Sequence, residues 1–447
     1  MNRPLFTLLA IASLSATHPA HAENLVDIYA QAKASDPTLA AARSAHAATQ
    51  EKLPQGRALL LPSAAFNANA NHSNTDTSYN GSNSAFRFGG GNQSFETYSY
   101  SVNASQPIYR KQNRVQYEEA KTQVMQAEEQ LTSAEQELML RTSQTYFDVL
   151  LAQDKLKLIY AQKAAVEQQL EQAKANFDVG TATITDVDEA QARYDLLLAQ
   201  EIAAQNDVHV RRHAIQAITG QMPGELVSAR EDLKATIPAP QNMDEWVSIA
   251  GQQNKELRIQ QYNLTLASQE IERAHAGHYP TLDLVGSYTD TYSNGGSNGF
   301  GADQQDFTIG LQLQVPIYQG GAIVSQEREA VANKQRALDN ISFARRQAEL
   351  QTRQAYLEVA SAVAQVKAFE QALVSSQSQL DSTNLGYEVG VRTSVDVLNA
   401  QQQLYSAKRD LLQARYTWLL SIIKLKSAAG VLVENDLDEI NRLLSGS

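Results

Sequence analysis

One eleven-residue pattern occurs twice in this chain, with five positions identical. Phe177-Asp178-Val179-Gly180-Thr181-Ala182-Thr183-Ile184-Thr185-Asp186-Val187 returns about 210 residues later as Tyr387-Glu388-Val389-Gly390-Val391-Arg392-Thr393-Ser394-Val395-Asp396-Val397. The flanks keep that register: Gln106-Pro107-Ile108-Tyr109 aligns with Val315-Pro316-Ile317-Tyr318, Leu61-Pro62-Ser63 with Tyr279-Pro280-Thr281, and Asn24 with Asn242. A duplication this long makes each half one copy of a single structural unit, so a fold proposed for one half must also suit the other. The expected division is residues 23–220 for the first repeat, 221–241 for a connector marked by Pro223, Pro238 and Pro240, 242–430 for the second repeat, and 431–447 for a C-terminal equatorial segment.

Residues 1–22 read as a secretory signal. Arg3 supplies the positive start, Leu5 to Leu14 the short apolar run, and Ala20-His21-Ala22 the small-residue cleavage site, so the mature chain is expected to begin at Glu23. The chain has no cysteine, which rules out a lipid-modified cysteine and disulfide staples. The formal net charge of −12 becomes −13 once Arg3 leaves, a balance that disfavours nucleic acid and suits cations or basic partners. No later apolar run approaches the roughly 18 residues that a membrane helix needs.

A β-barrel leaves a weaker trace, and four segments carry it. From Phe307 to Ile317, Phe307, Ile309, Leu311, Leu313 and Val315 alternate with Thr308, Gly310, Gln312 and Gln314, as in a strand with lipid on one side and water on the other. From Thr281 to about Tyr292, Leu282, Leu284, Tyr288 and Tyr292 oppose Thr281, Asp283, Ser287 and Thr289. The first half repeats this with smaller residues, from Ala64 to Asn71 and from Tyr98 to Ala104. Alternation alone equally describes half-buried hairpins of a soluble domain; strand lengths near those that cross a bilayer favour the membrane. Ser73 to Ser94 and Ser293 to Gln305, rich in Ser, Asn and Gly, are expected to be exposed loops between the strands of each pair.

The remainder reads as helix. Lys111 to Asn176 and Gly321 to Gly386 contain no proline, and roughly 66 residues at 1.5 Å each make a rod near 100 Å. Such a rod needs lateral partners. Val359, Val366, Leu373, Leu380 and Tyr387 recur every seven residues, matched by Val149, Leu156, Lys163, Leu170 and Phe177; a second run is Tyr117, Val124, Leu131 and Leu138 with Ala120, Ala127 and Ala134. Shorter helices are expected from about Asp186 to Ile218 and Asp396 to Ala429, with Gly220 and Gly430 as C-terminal caps, and before the strands from Leu25 to about Ala58 and Met243 to about His275.

A barrel closes at about eight strands or more, and one chain offers four, so other copies must satisfy the sheet edges. Three copies would supply twelve strands and twelve helical columns, a barrel continuous with a hollow helical cylinder. The expected fold is therefore a membrane α+β assembly: a trimeric twelve-stranded β-barrel, four strands per chain, continuous with a long α-helical barrel.

The Tyr387-Glu388-Val389-Gly390 turn with Thr393, Val395-Asp396-Val397-Leu398, Pro280-Thr281-Leu282-Asp283-Leu284, and Gly180 with Ile184-Thr185-Asp186-Val187 resemble the TolC family of outer-membrane efflux proteins, over essentially the whole mature chain. The resemblance implies a homotrimer in outer-membrane lipid with its helical tunnel in the periplasm. It also implies a periplasmic adaptor and an inner-membrane transporter of the RND, MFS or ABC class as partners. The cargo would be drugs, bile-like amphiphiles or proteins, exported without chemistry or cofactor by the outer component.

It further implies a closed end held by bonds among Tyr387, Arg392, Thr185 and Asp186, with Asp396 as the narrowest acidic ring. The family's next acidic ring falls on Asn399, and Glu189, its counterpart in the first repeat, would restore a carboxylate at a similar height. The tips at Val179, Gly180, Val389 and Gly390 would receive the adaptor. Residue chemistry alone reads several of these positions more plainly. Asp186, Asp188 and Asp396 suit the first turn of a helix, Gly180 and Gly390 a positive φ, and Tyr387 a heptad core.

Other signals are weak. His209 and His213 share a helix face but lack a third metal ligand, and Gly89-Gly90-Gly91 has no lysine or strand-to-helix context for a phosphate loop. No nucleophile elbow or zinc-protease motif supports a secreted enzyme. A structural periplasmic coiled coil would account for heptads, acidity and alanines, but not for four amphipathic strands.

Overall fold

The computed structural model describes residues 22–78, 91–230, 233–296 and 300–444, so the signal segment up to residue 21, Gly89, Gly90 and the very C-terminus lie outside the described residues. The chain divides into two units, residues 41–133 with 251–348, and residues 1–40 with 134–250 and 349–447.

The first unit contains a four-stranded antiparallel meander in the order β1 (Ser63–Thr77), β2 (Gly91–Tyr109), β3 (Thr281–Ser293) and β4 (Ala302–Gln314). Its register aligns the residues expected to share a face. Phe66 stands opposite Val102, Val102 opposite Tyr288, and Tyr288 opposite Phe307, while the other face reads Asn67, Ser101, Thr289 and Asp306 across the same strands. Large side chains on the apolar face, among them Phe66, Tyr288, Phe307, Ile309, Leu311 and Leu313, are exposed, the reverse of a sheet that covers a soluble core. Tyr98 and Tyr292 stack at 6.4 Å. The strands run further into the expected loops than alternation indicated, through Ser73–Thr77 and from Gly91, because polar residues pair in a ladder as readily as apolar ones. In the other direction β4 stops at Gln314 instead of continuing to Ile317: Pro316 has no N–H for a ladder.

At the root of the sheet Arg110 donates to both carboxylate oxygens of Asp283, at 2.8 and 2.6 Å, and the Asp283 side chain is buried. Gly56 lies so close to Ala120 that an added Cβ would meet the Ala120 Cβ at 3.0 Å, which explains the small residues where the chain approaches itself at these two positions.

The long helices are α4 (Lys111–Asp178) and α8 (Ala322–Glu388), unbroken over 68 and 67 residues. Two of the four shorter expected helical stretches are divided. Leu25 to Ala58 forms α1 (Leu25–Ser35), α2 (Pro37–Gln50) and α3 (Lys52–Ala58). Asp36, which precedes Pro37, is extended at ψ 120°, and its carboxylate accepts from Leu39 N at 2.8 Å, so the proline that ends one helix opens the next. Pro54, which cannot donate to the carbonyl four residues back, accounts for the second break. Met243 to His275 divides into α6 (Met243–Gln253) and α7 (Lys255–His275) at Asn254, whose side chain accepts from Leu257 N at 3.0 Å. Between these groups stands α5 (Ile184–Thr219); α9 (Ser394–Ala428) and α10 (Glu434–Asn441) close the chain.

In the second unit Tyr146 and Phe147 of α4 are fully buried, with Leu25 and Ile28 of α1 and Leu419, Ile423 and Leu425 of α9. Tyr146 donates to the carbonyl of Val227 at 2.8 Å, and burial pushes its phenol well above its ordinary pKa, so it remains a neutral donor. Trp246 and Ala250 pack with Ala355, Val359, Leu425 and Ala429. The heptad positions Val149, Leu170, Val359, Val366 and Leu380 are buried, whereas Phe177 is exposed and Lys163 pairs with Glu201. Helix α8 has unlike seams: Ala330, Ala337 and Ala344 are buried, while Val324, Val331 and Leu338, and then Phe343, Leu350 and Leu357, lie exposed, each trio also in steps of seven.

Candidate functional site

The two duplicated turns, both in the second unit, are built alike. Helix α4 ends at Gly180, whose φ of +78° lets its N–H reach Phe177 O at 2.9 Å while Thr181 N reaches Asn176 O at 2.8 Å. Helix α8 ends at Gly390, again at φ +78°, with Gly390 N on Tyr387 O at 3.0 Å and Val391 N on Gly386 O at 2.9 Å. These bonds satisfy terminal carbonyls in the Schellman arrangement, which glycine adopts without strain. Each following helix starts with a reciprocal cap. Thr183 Oγ1 accepts from Asp186 N at 3.3 Å while Asp186 Oδ2 accepts from Thr183 N at 3.0 Å; Thr393 and Asp396 repeat this at 3.2 and 2.9 Å. The amide and then the hydroxyl of Thr393 hold the Asp396 carboxyl below the usual carboxylate range, so it is charged at neutral pH.

The structure brings only some of the expected site residues together. Among the described residues, no hydrogen bond or ion pair within the chain joins Thr185 or Asp186 to Tyr387 or Arg392. Tyr387 packs beside Leu380, Val397, Ala400 and Leu404, and its hydroxyl accepts from Asn176 Nδ2 at 3.1 Å. The Arg392 side chain lies over Gly386, where a Cβ would meet its Cγ at 2.7 Å. Glu189 accepts from Arg193 Nε at 3.1 Å, and the same guanidinium donates to Asn399 Oδ1 at 3.0 Å and to Gln402 Oε1. At the tips Val179 and Val389, together with Val391, are among the most exposed apolar residues.

Asn176, Arg193 and Gln402 were missed by the sequence reading. Arg193 left a trace, since it stands four residues after Glu189. Asn176 and Gln402 left none, because their partners are about 210 residues away in the chain. His213 donates to or accepts from Gln216 at 2.9 Å, and no three His, Cys, Asp or Glu among the described residues form a metal cluster. Among the described residues, no helix is long and apolar enough to cross a membrane.

The family model described as "Outer membrane efflux protein" matches residues 28–221 and 246–431. The outer membrane protein TolC of Vibrio cholerae is 34% identical over 98% of this chain and 97% of its own length. The proteases secretion protein PrtF of Dickeya chrysanthemi is 29% identical over 98% of this chain and 95% of its own. A crystal structure of CusC superposes with a TM-score of 0.78 at 18% identity, covering 91% of this chain and 92% of that one, which shows the shared fold. With both halves matched by one family model, the chain belongs to the outer membrane efflux protein family and is an outer-membrane exit channel.

Proposed function

We propose that three copies of the chain close into one twelve-stranded barrel and one helical tunnel, the exit duct of a tripartite efflux or type I secretion system. The carrying observation is incompleteness: β1 and β4 each have one sheet neighbour, and the sheet's apolar face is bare. An open edge and exposed backbone are not tolerated in lipid, so copies must join edge to edge. The exposed Val, Leu and Phe stripe of α8, beside an alanine seam already buried, supports a second helical neighbour drawn from another copy. The paired family matches and the twin turns support a twofold internal repeat of residues 23–220 and 242–430 joined by 221–241, with 431–447 as an equatorial segment.

The closed end of the tunnel lies at the turns, with Tyr387 and Arg392 of one copy meeting Thr185 and Asp186 of the next, and Asp396 forming the narrowest ring. Charge-assisted bonds contribute about 1.5 to 3 kcal/mol each, so a threefold set holds the mouth yet yields to a docked partner. Val179, Gly180, Val389 and Gly390 present the exposed tips to a periplasmic adaptor, which couples the duct to an inner-membrane RND, MFS or ABC transporter. The duct itself performs no chemistry.

Two measurements test this reading. The protein should fractionate with outer membranes and have a trimer's mass in detergent; a water-soluble monomer with no affinity for lipid would overturn it. In planar bilayers, Tyr387→Phe combined with Arg392→Ser should raise single-channel conductance several-fold, and unchanged conductance would remove the gate.

A further inference from the structure

One helical turn beyond Asp396, at the level of Asn399 and Glu189, lies a cluster built on Arg193, a residue with no part in the bonds proposed to close the gate. Arg193 of α5 spends all three of its guanidinium nitrogens on neighbours: Nε donates to Glu189 Oε1 at 3.1 Å, Nη2 to Asn399 Oδ1 at 3.0 Å, and Nη1 to Gln402 Oε1. Glu189 is on the same helix and the two amides are on α9, so one side chain ties the start of α5 to the start of α9. The Arg193 side chain is 30% exposed and that of Glu189 37%, so the group is neither sunk in the core nor freely solvated. Asn399 and Gln402 are exposed. The charges sum simply: one carboxylate, one guanidinium and two neutral amides leave this level without net charge. Outside the cluster, the carboxylates at these helix starts are exposed Asp188, next to Glu189 in sequence, and those of the caps, Asp186 and Asp396.

Resting on the proposed placement of these helix starts around the closed end of the duct, we infer that Arg193 sets the charge selectivity of the constriction. It cancels Glu189 and occupies Asn399, so neither position 189 nor position 399 adds an uncompensated carboxylate behind Asp396. The step from residue 396 to 399 rises about 4.5 Å along a helix, within a Debye length, so the two levels act on a passing ion together. Two stacked acidic rings in a narrow, low-dielectric mouth would concentrate cations and repel anions. A single ring followed by a neutral collar repels them less, which suits anionic and zwitterionic cargo. Neither amide could supply this neutrality alone; it depends on the arginine that Glu189 and Asn399 share.

The test is the reversal potential of the assembled full-length protein in planar bilayers under a tenfold KCl gradient, read only from channels that conduct. Arg193→Gln should raise the potassium-to-chloride permeability ratio by about threefold, the scale expected when three nearby charges are removed from a screened aqueous mouth. Glu189→Gln should shift it the opposite way. Arg193→Lys, which keeps the charge but not the fork of hydrogen bonds, should stay near the wild-type ratio, separating a charge effect from a merely structural one. If Arg193→Gln and Glu189→Gln both leave the ratio unchanged while Asp396→Asn lowers it, the inference about Arg193 is overturned and the duct stands. If neither the wild type nor the Tyr387→Phe, Arg392→Ser variant conducts at all, the duct reading falls and the inference falls with it.

Discussion

The turn from Asp178 to Thr183 and the turn from Glu388 to Thr393 share a backbone but not their side-chain contacts. Both have a glycine at φ +78°, the same pair of closing bonds and the same Thr-to-Asp cap. They diverge one residue before the aromatic, where Asn176 corresponds to Gly386. In the first turn a side chain extends from that position and donates to Tyr387. In the second, the missing side chain leaves room for Arg392 to lie across the helix end. The backbone answers to its own local residues, whereas the polar side chains answer to whatever the other hairpin presents, so two turns of one backbone pattern still make different side-chain contacts.

The likeness should break first at the glycines. Gly180→Ala and Gly390→Ala place a Cβ in open space but force a left-handed residue, at a cost of roughly 1 to 2 kcal/mol each. Chemical denaturation of the two variants should give equal losses, and a clear inequality would mean that the turns carry different strain. Next come the caps: Thr183→Ala and Thr393→Ala should each cost about 1 kcal/mol, again equally.

The difference between the turns is sharpened by Asn176→Ala, which removes a bond present only in the first. Melting should register about 0.5 to 1.5 kcal/mol, with no hydrogen bond lost in the matching change Gly386→Ala, whose added methyl meets the stem of Arg392 and, at 3.6 Å, Val391 Cγ2. The smallest effect is in pH. Because the folded pKa of Asp396 lies below the unfolded one, its contribution is complete above about pH 4 and is lost as the pH falls through the folded value. The melting difference between wild type and Asp396→Asn should therefore close only below that point, and a difference that closed near neutrality would contradict the cap.

Legibility tracked the range of the interactions. The twin turns were readable because their signals, Gly180 with Thr183 and Asp186, and Gly390 with Thr393 and Asp396, lie within seven residues of one another. The strands were readable from period-two alternation, and the register of Val102 with Tyr288 and of Tyr288 with Phe307 agrees with it. The helix breaks at Asp36 and Asn254 were passed over because periodicity outweighed two local signals that were present, Pro37 and a side-chain cap. The exposed stripe of α8 was hidden for another reason: an apolar heptad looks the same whether its partner is in this chain or another.

By itself the sequence determined the recurring turn pattern, the four amphipathic strands, the two long helices and the capped turns, since each rests on sterics and hydrogen bonds between near neighbours. Only the tertiary structure decided that Tyr387 meets Asn176, that Arg193 joins Glu189 to Asn399 and Gln402, and that one seam of α8 is filled while the other is bare. Such pairings depend on which helices are brought side by side. A polar side chain accepts any partner of complementary charge or hydrogen-bonding sense within reach, and the residue sequence does not encode that reach locally.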